Sequence, residues 1–347
     1  MKILKILFCL FVISFSDVDL GDFERGRFEE IYRNSRNSIV GIKVVKSKMS
    51  PSVYGDVSQT EIGSGFVYDS EEGLILTTAS NVRDAKHVGI LFNDGRSVEA
   101  EVVGYDVPTD LAVLELKIKR PHIPSLKLSQ NSYSVGESLM VMSPNPEGIC
   151  CNTSKGIVSA TTLSGDKLGG GLSTFFQFDA ALNGGQQGGA LLSLRGEVIG
   201  MPTLKQRNSE NLFLNFALPV DIINIVLPEL IENGRYLHVD WGLDPVAIPE
   251  EIRLKTGYLG EGLYVPGLAE TGSGWRTGLR TGDVITALDG NSLAVHDDFW
   301  SIFGSWIDKD NFSMKGHTVT VYRNGTFLDF DFKVVRRIIE FDEKNFF

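Results

Sequence analysis

Histidine and cysteine are scarce in this chain, with five and three residues among 347. Cys150 and Cys151 are adjacent and have no His or Cys partners at ligand spacing, so a metal centre is not expected. No cofactor is expected either. A bond between neighbouring cysteines is sterically strained, so the pair reads as small loop-flanking residues. Without a disulfide framework the fold must rely on apolar cores. Basic residues are also few, 33 against 44 acidic, which leaves a formal charge of −11. No basic stripe offsets this, so nucleic acid and anionic lipid should repel the chain. The apolar run Ile6 to Phe15 is too short to span a bilayer, and no membrane span is expected.

That run does have a different layout. Lys2 and Lys5 precede it, and Ser14-Phe15-Ser16 is a small-x-small step before Asp17. Residues 1–16 therefore read as a secretory signal peptide, and the chain is expected to be exported, periplasmic or secreted. The length exceeds what one core usually supports, which points to two or three folded units. Glycine is abundant at 37 residues and separates many short apolar runs, a β-rich signature.

Residues 17–37 are polar with spaced aromatics Phe23, Phe28 and Tyr32, and "RFEEIYRNS" has helical character. From Ser38 the pattern turns strand-like. "SIVGIKVV", "GSGFVYD", "LILTTAS", "HVGILF", "SVEAEVVGYD" and "LAVLELK" form one series, to about residue 120, with Asn93-Asp94-Gly95 as a hairpin turn. "SLMVM", "GIVSATTL", "FFQFD", "GALLSL", "EVIGMPT" and "LFLNFALP" form a second, over about 130–237. Two series of six short strands predict two β-barrels. "VDIINIVLPELIEN" has helical spacing, with Pro228 inside and Gly234 as its stop. A third unit spans 238–337, with the helical "DDFWSIFGSWI" and a hairpin at Asn324-Gly325; residues 338–347 form a tail.

Six segments, in order, carry a resemblance: "GSGFVYDSEEGLILT", "NDGRSVEAEVVGYDVPTDLAVLEL", "SKGIVSA", "FQFDAALNGGQQGGALLSLRGEVIG", "NFALP" and "GLRTGDVITALDG". Together they resemble the HtrA/DegP-like serine proteases, two chymotrypsin-type barrels followed by a PDZ domain. The resemblance implies a protease-fold domain over 38–237 and a PDZ domain over 238–337. It also implies that residues 17–37 contribute to oligomer contacts, in a homo-trimer or larger assembly.

The family's catalytic set is where the chain departs. The family histidine lies in a pattern like "LTNNHV"; here the text is "LTTASNV", and Ser80 takes that position. The aspartate of "TDLAV" is present as Asp110. The nucleophile of "NPGNSGGPL" falls on Gln187 in "NGGQQGGAL". A carboxamide nitrogen, its lone pair delocalised, is no nucleophile, and a serine hydroxyl is no general base near neutral pH. Losing one member of such a set costs on the order of 10⁶ in turnover, so one replacement is already enough. No active catalytic residue is expected at Ser80, Asp110 or Gln187. The glycines around Gly185, Gln186 and Gln187 keep the turn that, in the family, surrounds an oxyanion. Asp110, lacking an imidazole to orient, should be held by local hydrogen bonds, including the Ser80 hydroxyl.

In the third unit the resemblance implies capture of a peptide's terminal carboxylate by backbone N–H groups. "WGL", Trp241, Gly242 and Leu243, is the candidate loop, one residue shorter than the family's aromatic-Leu-Gly-apolar order. Phe299 and Phe303 on the following helix would form the groove wall. The expected function is that of an inactive pseudoprotease. It would bind peptides, unfolded proteins or protein C-termini as a chaperone, adaptor or regulatory subunit, alone or beside an active relative. The alternative is an active serine endopeptidase with a non-standard triad.

Overall fold

The computed structural model describes residues 20–49, 56–118, 123–131, 133–145, 150–163, 175–203, 215–239, 241–243, 245–294, 298–299, 302, 316–332 and 336–337. The signal-like run and the tail 338–347 lie outside these residues.

The chain is described from α1 (Leu20–Ser35), which runs into the first barrel. That barrel comprises β1 (Ile39–Met49), β2 (Asp56–Asp69), β3 (Leu74–Thr78), β4 (Ala85–Leu91), β5 (Ser97–Asp106) and β6 (Leu111–Leu116). The short α2 (Ala79–Val82) sits between β3 and β4. The sheet closes in the order β1-β2-β3-β6-β5-β4. The second barrel comprises β7 (Ser138–Pro144), β8 (Cys150–Leu163), β9 (Phe175–Phe178), β10 (Ala190–Ser193), β11 (Val198–Thr203) and β12 (Asn215–Pro219). It closes in the order β10-β11-β12-β9-β8-β7. Closure removes the free strand edges that would otherwise invite pairing with other chains.

Each barrel has its own interior. Val40, Ile42, Ile75, Ile90 and Leu114 fill the first. Leu139, Val141, Phe176, Phe178 and Ile199 fill the second. A third cluster joins the two, with Phe66, Leu76 and Val113 from one barrel against Met140, Met142 and Leu192 from the other. β3 and β6 serve both cores, which is why Leu74, Ile75 and Leu76 are apolar without alternation and the whole strand, Thr77 and Thr78 included, is buried. The cleft between the barrels is therefore framed by rigid strands.

α1 packs on the second barrel. Ile31 is buried, Phe28 and Tyr32 are half-buried, and Arg27 Nε donates to the Leu194 carbonyl at 2.6 Å. Lys155 Nζ lies 5.6 Å from the Phe28 ring centre. An open cavity of about 440 Å³ remains between helix and barrel, lined by Phe28, Glu29, Tyr32, Arg33, Met140 and Thr153. Cys151 is disulfide-bonded, which corrects the reading of Cys150 and Cys151 as small loop-flanking residues outside any disulfide framework. It is also the extra residue of a β-bulge, since Ser143 faces Asn152 while Pro144 faces Cys150.

α3 (Val220–Asn233) follows the second barrel and buries Ile223, Val226, Leu227 and Leu230. It stops at Gly234, which has φ 71° and donates its N–H to the Leu230 carbonyl at 3.0 Å. The chain then enters the third unit through β13 (His238–Val239). There β14 (Val246–Ala247), β15 (Leu263–Tyr264), β16 (Val284–Leu288), β18 (His317–Arg323) and β19 (Thr326–Phe332) form a sheet in that order, with β17 (Asn291–Ser292) beside β16. β20 (Arg336–Arg337) returns to pair with β13. α4 (Glu250–Thr256) and α5 (Ser273–Thr277) accompany this sheet. Asp298, Phe299 and Ile302 are helical, as the sequence predicts; Phe303 and the rest of that segment lie outside the described residues. The fold is mainly β, with two closed six-stranded barrels.

Candidate functional site

Ser80, Asp110 and Gln187 come together between the barrels. Ser80 is the second residue of α2, immediately after the buried β3. Asp110 ends the tight turn joining β5 to β6 and has φ 60°, a left-handed conformation that Asp tolerates better than most residues. Its own carbonyl accepts the Ala79 N–H at 3.0 Å, which pins the turn to the start of α2. Asp110 is 3% exposed. Its Oδ1 accepts the Ser80 N–H at 2.8 Å. Its Oδ2 accepts the Thr203 hydroxyl at 2.7 Å and lies 3.3 Å from the Ser80 hydroxyl. Ser80 Oγ also lies 3.2 Å from Thr78 Oγ1, so its single proton is shared between two acceptors. The buried Asp110 carboxyl group is thus satisfied by hydroxyl and backbone donors. The Ser80 hydroxyl stands against it.

Across the cleft, Gly184 to Gly189 make two consecutive turns between β9 and β10. Gly188 has φ 87°, and a Cβ there would press on the Ser64 carbonyl oxygen and lie 2.9 Å from Thr77 Oγ1. Only glycine fits such an approach. The two glutamines have separate tasks. Gln186 is buried; its Nε2 donates to Ser143 Oγ at 2.8 Å and its Oε1 accepts the Asn183 N–H at 2.5 Å. Gln187 reaches into the cleft, where Nε2 donates to Asn81 Oδ1 at 2.9 Å. Asn81 Nδ2 returns a bond to the Gln187 carbonyl at 3.2 Å and donates to Thr77 Oγ1 at 3.0 Å. Ser64 adds two links, N–H to the Gln187 carbonyl at 3.3 Å and Oγ to the Gly185 carbonyl at 2.6 Å. Asn81 and Ser64 belong to the first barrel and the loop to the second, so the amide pair stitches the barrels together. The N–H groups of Gly185 and Gln187 donate to no acceptor among the described residues.

Asn81, Ser64 and Thr203 were not singled out in the sequence. Asn81 had a visible signal: it stands where "LTNNHV" has valine, a polar residue beside an already altered position. Because Asn81 is 6% exposed, Gln187→Ala should leave its Oδ1 buried and unpaired. The expected cost is about 1–3 kcal/mol of stability, read as a lower denaturant midpoint. An unchanged midpoint would mean that the amide pair is not formed in solution.

The described histidines are engaged elsewhere. His87 lies on β4 opposite Val45. His238 bonds Asp106 at 2.6 Å and His317 bonds Asp289 at 2.8 Å. His122 and His296 lie outside the described residues.

In the third unit, Trp241 is 3% exposed and stacks on Phe332 with ring centres 3.9 Å apart. Phe299 is fully buried beside it, its ring centre 5.1 Å from that of Trp241. Both side chains are core in this conformation, so a peptide at this loop would meet the backbone of residues 241–243. Gly242, at φ 72°, carries the turn, and its carbonyl accepts the Ala269 N–H at 2.6 Å. Leu243 is half-buried and bridges Leu268.

Comparison with known proteins agrees with this architecture. The trypsin-like peptidase domain matches residues 63–201, which contain Ser80, Asp110 and Gln187. The Serine protease Do-like HtrA of Lactobacillus helveticus is 30% identical over 302 residues, covering 83% of this chain and 71% of that protein. Periplasmic serine endoprotease DegP of Salmonella typhimurium is 29% identical over 236 residues, covering 67% of this chain and 49% of that protein, so the chain spans about half of it. The solved structure of the HtrA-type protease AlgW with decapeptide superposes with a TM-score of 0.72 at 25% identity, covering 89% of this chain and 98% of AlgW. With two closed barrels, the triad positions facing each other across them, and a relative matched along most of its length, the chain belongs to the HtrA/DegP family of trypsin-like serine proteases.

Proposed function

We propose that this chain is a hydrolytically silent member of its family, a pseudoprotease that holds peptides or unfolded proteins without cutting them. One observation carries the reading. At the base position the Ser80 hydroxyl leans on Asp110, and at the nucleophile position the Gln187 amide is bonded to Asn81. Neither group can take up a proton and attack a carbonyl near neutral pH. The free N–H groups of Gly185 and Gln187 suit a peptide carbonyl, which the cleft would hold without reaction.

The third unit acts, on this reading, as a PDZ domain that captures protein C-termini at the backbone of Trp241 to Leu243. The chain works as a chaperone, an adaptor or a regulatory subunit beside an active relative. The apolar cavity beside Phe28 and Tyr32 supports assembly into a trimer or larger oligomer, with α1 at the contact. Matched relatives named as periplasmic, DegP among them, support an exported location, periplasmic or secreted. Among the described residues no helix is long and apolar enough to cross a membrane.

Purified protein should leave casein and extended peptides intact while binding reduced, unfolded clients and C-terminal peptides. Cleavage that survives Ser80→Ala and Gln187→Ala would instead favour an endopeptidase with a non-standard triad. Binding of neither ligand class would leave a purely structural oligomer.

A further inference from the structure

The turn after β5 carries two aspartates that face different ways. Asp110 holds the cleft. Asp106 points to the other side, where its Oδ1 meets His238 Nε2 at 2.6 Å. Its Oδ2 accepts both the N–H and the hydroxyl of Thr109, at 2.9 and 2.6 Å. The Asp110 N–H then closes the turn on the Val107 carbonyl at 3.2 Å. Every side chain in this path is buried: His238 1%, Asp106 5%, Thr109 0% and Asp110 3% exposed.

We infer that His238 is a positioning residue for the cleft: through Asp106 it fixes the turn that sets Asp110, and it anchors β13 at the entry to the third unit to that same turn. Three features support this. The carboxylate of Asp106 is shared, so the oxygen that orders Thr109 and the oxygen that takes the imidazole cannot move independently. The φ of 60° at Asp110 is a sparsely populated conformation that persists only when its surroundings over-determine it. The imidazole has no competing anchor, because Nδ1 has no hydrogen-bond partner among the described residues and the Tyr236 ring only meets its edge, centres 4.9 Å apart. Removing the imidazole would leave Asp106 Oδ1 buried and unpaired, and the turn would relax to recover a partner. Asp110 would follow, and with it the donors it holds on Ala79 and Ser80.

A histidine that merely filled space would act locally; this one should act at a distance. Hydrogen–deuterium exchange on the full chain separates the two. With His238→Ala, the amides of Thr109, Asp110, Ala79 and Ser80 should exchange at least about tenfold faster, while the first-barrel ladder amides of Ile42 and Ile90 keep their protection. His238→Gln places an amide donor near the same reach and should keep the four amides within about threefold of the parent. Should His238→Ala lose the fold altogether, His238→Phe serves instead. It fills the same space but offers Asp106 no donor, so the same four amides should speed up. Faster exchange confined to residues 236–241, or Ala79 and Ser80 unchanged in every folded variant, would overturn the assignment.

Discussion

On the proposed reading, Ser80→His with Gln187→Ser is expected to give this chain peptide hydrolysis, and adding Asn81→Val is expected to increase it. Asp110 is already in place to orient an imidazole, with its Oδ1 on the residue 80 N–H and its Oδ2 facing that side chain. The loop already holds two uncommitted N–H groups, at Gly185 and Gln187. What remains is competition for the new hydroxyl. Asn81 Oδ1, which now accepts from Gln187, would lose that donor and take the introduced serine proton instead of leaving it to the imidazole. Valine removes the competitor. The double variant should exceed the parent by at least about a hundredfold in turnover of an unstructured peptide, a small part of the roughly 10⁶ that an intact set contributes. The triple variant should gain about another tenfold, for freeing one hydrogen bond. A triple variant no faster than the double would remove Asn81 from the account. No activity in either, with the fold intact, would mean that the cleft is not in a competent geometry.

The second large effect lies in the third unit and concerns stability. Asp283 is 1% exposed and holds Arg323 through two bonds, 2.6 and 2.7 Å. It also accepts the Arg280 N–H at 2.8 Å, and Arg323 donates to the Gly278 carbonyl at 2.8 Å. The pair therefore ties the loop before β16 to β18 across the sheet. Arg323→Leu should destabilise this unit by about 3–5 kcal/mol, because it strands a buried carboxylate rather than merely losing a contact. Replacing both partners with apolar residues should recover much of that cost. Chemical denaturation followed by tryptophan fluorescence, whose four residues all lie between 241 and 306, would read both variants. A single variant no less stable than the double would refute the buried-charge argument.

How much of this was legible beforehand differs by element. The two barrels were visible because short apolar strands separated by glycine and Asn-Gly type turns have few other ways to bury themselves. The α3 stop at Gly234 and the hairpin at Asn324-Gly325, with φ of 50° and 87°, followed from residue types that tolerate positive φ. The helix before β1 was readable, but its seat on the second barrel was not, since α1 touches residues more than a hundred positions away. The disulfide at Cys151 ran against the expectation that neighbouring cysteines stay unbonded, which rested on strain alone. Trp241 and Phe299 showed the same limit. A motif names the residues near a groove but does not say whether their rings face it or the core.

The sequence by itself determined which groups stand at the positions that the resemblance gives to the catalytic set, a hydroxyl at Ser80, a carboxylate at Asp110 and an amide at Gln187, because residue identity alone decides which groups can move a proton. Only the tertiary structure decided what those groups touch. Asn81 clasps Gln187 from the opposite barrel, and Thr203 shares Asp110 with Ser80. Such partners lie about a hundred residues apart along the chain, and closure of the two barrels is what brings them within hydrogen-bond reach.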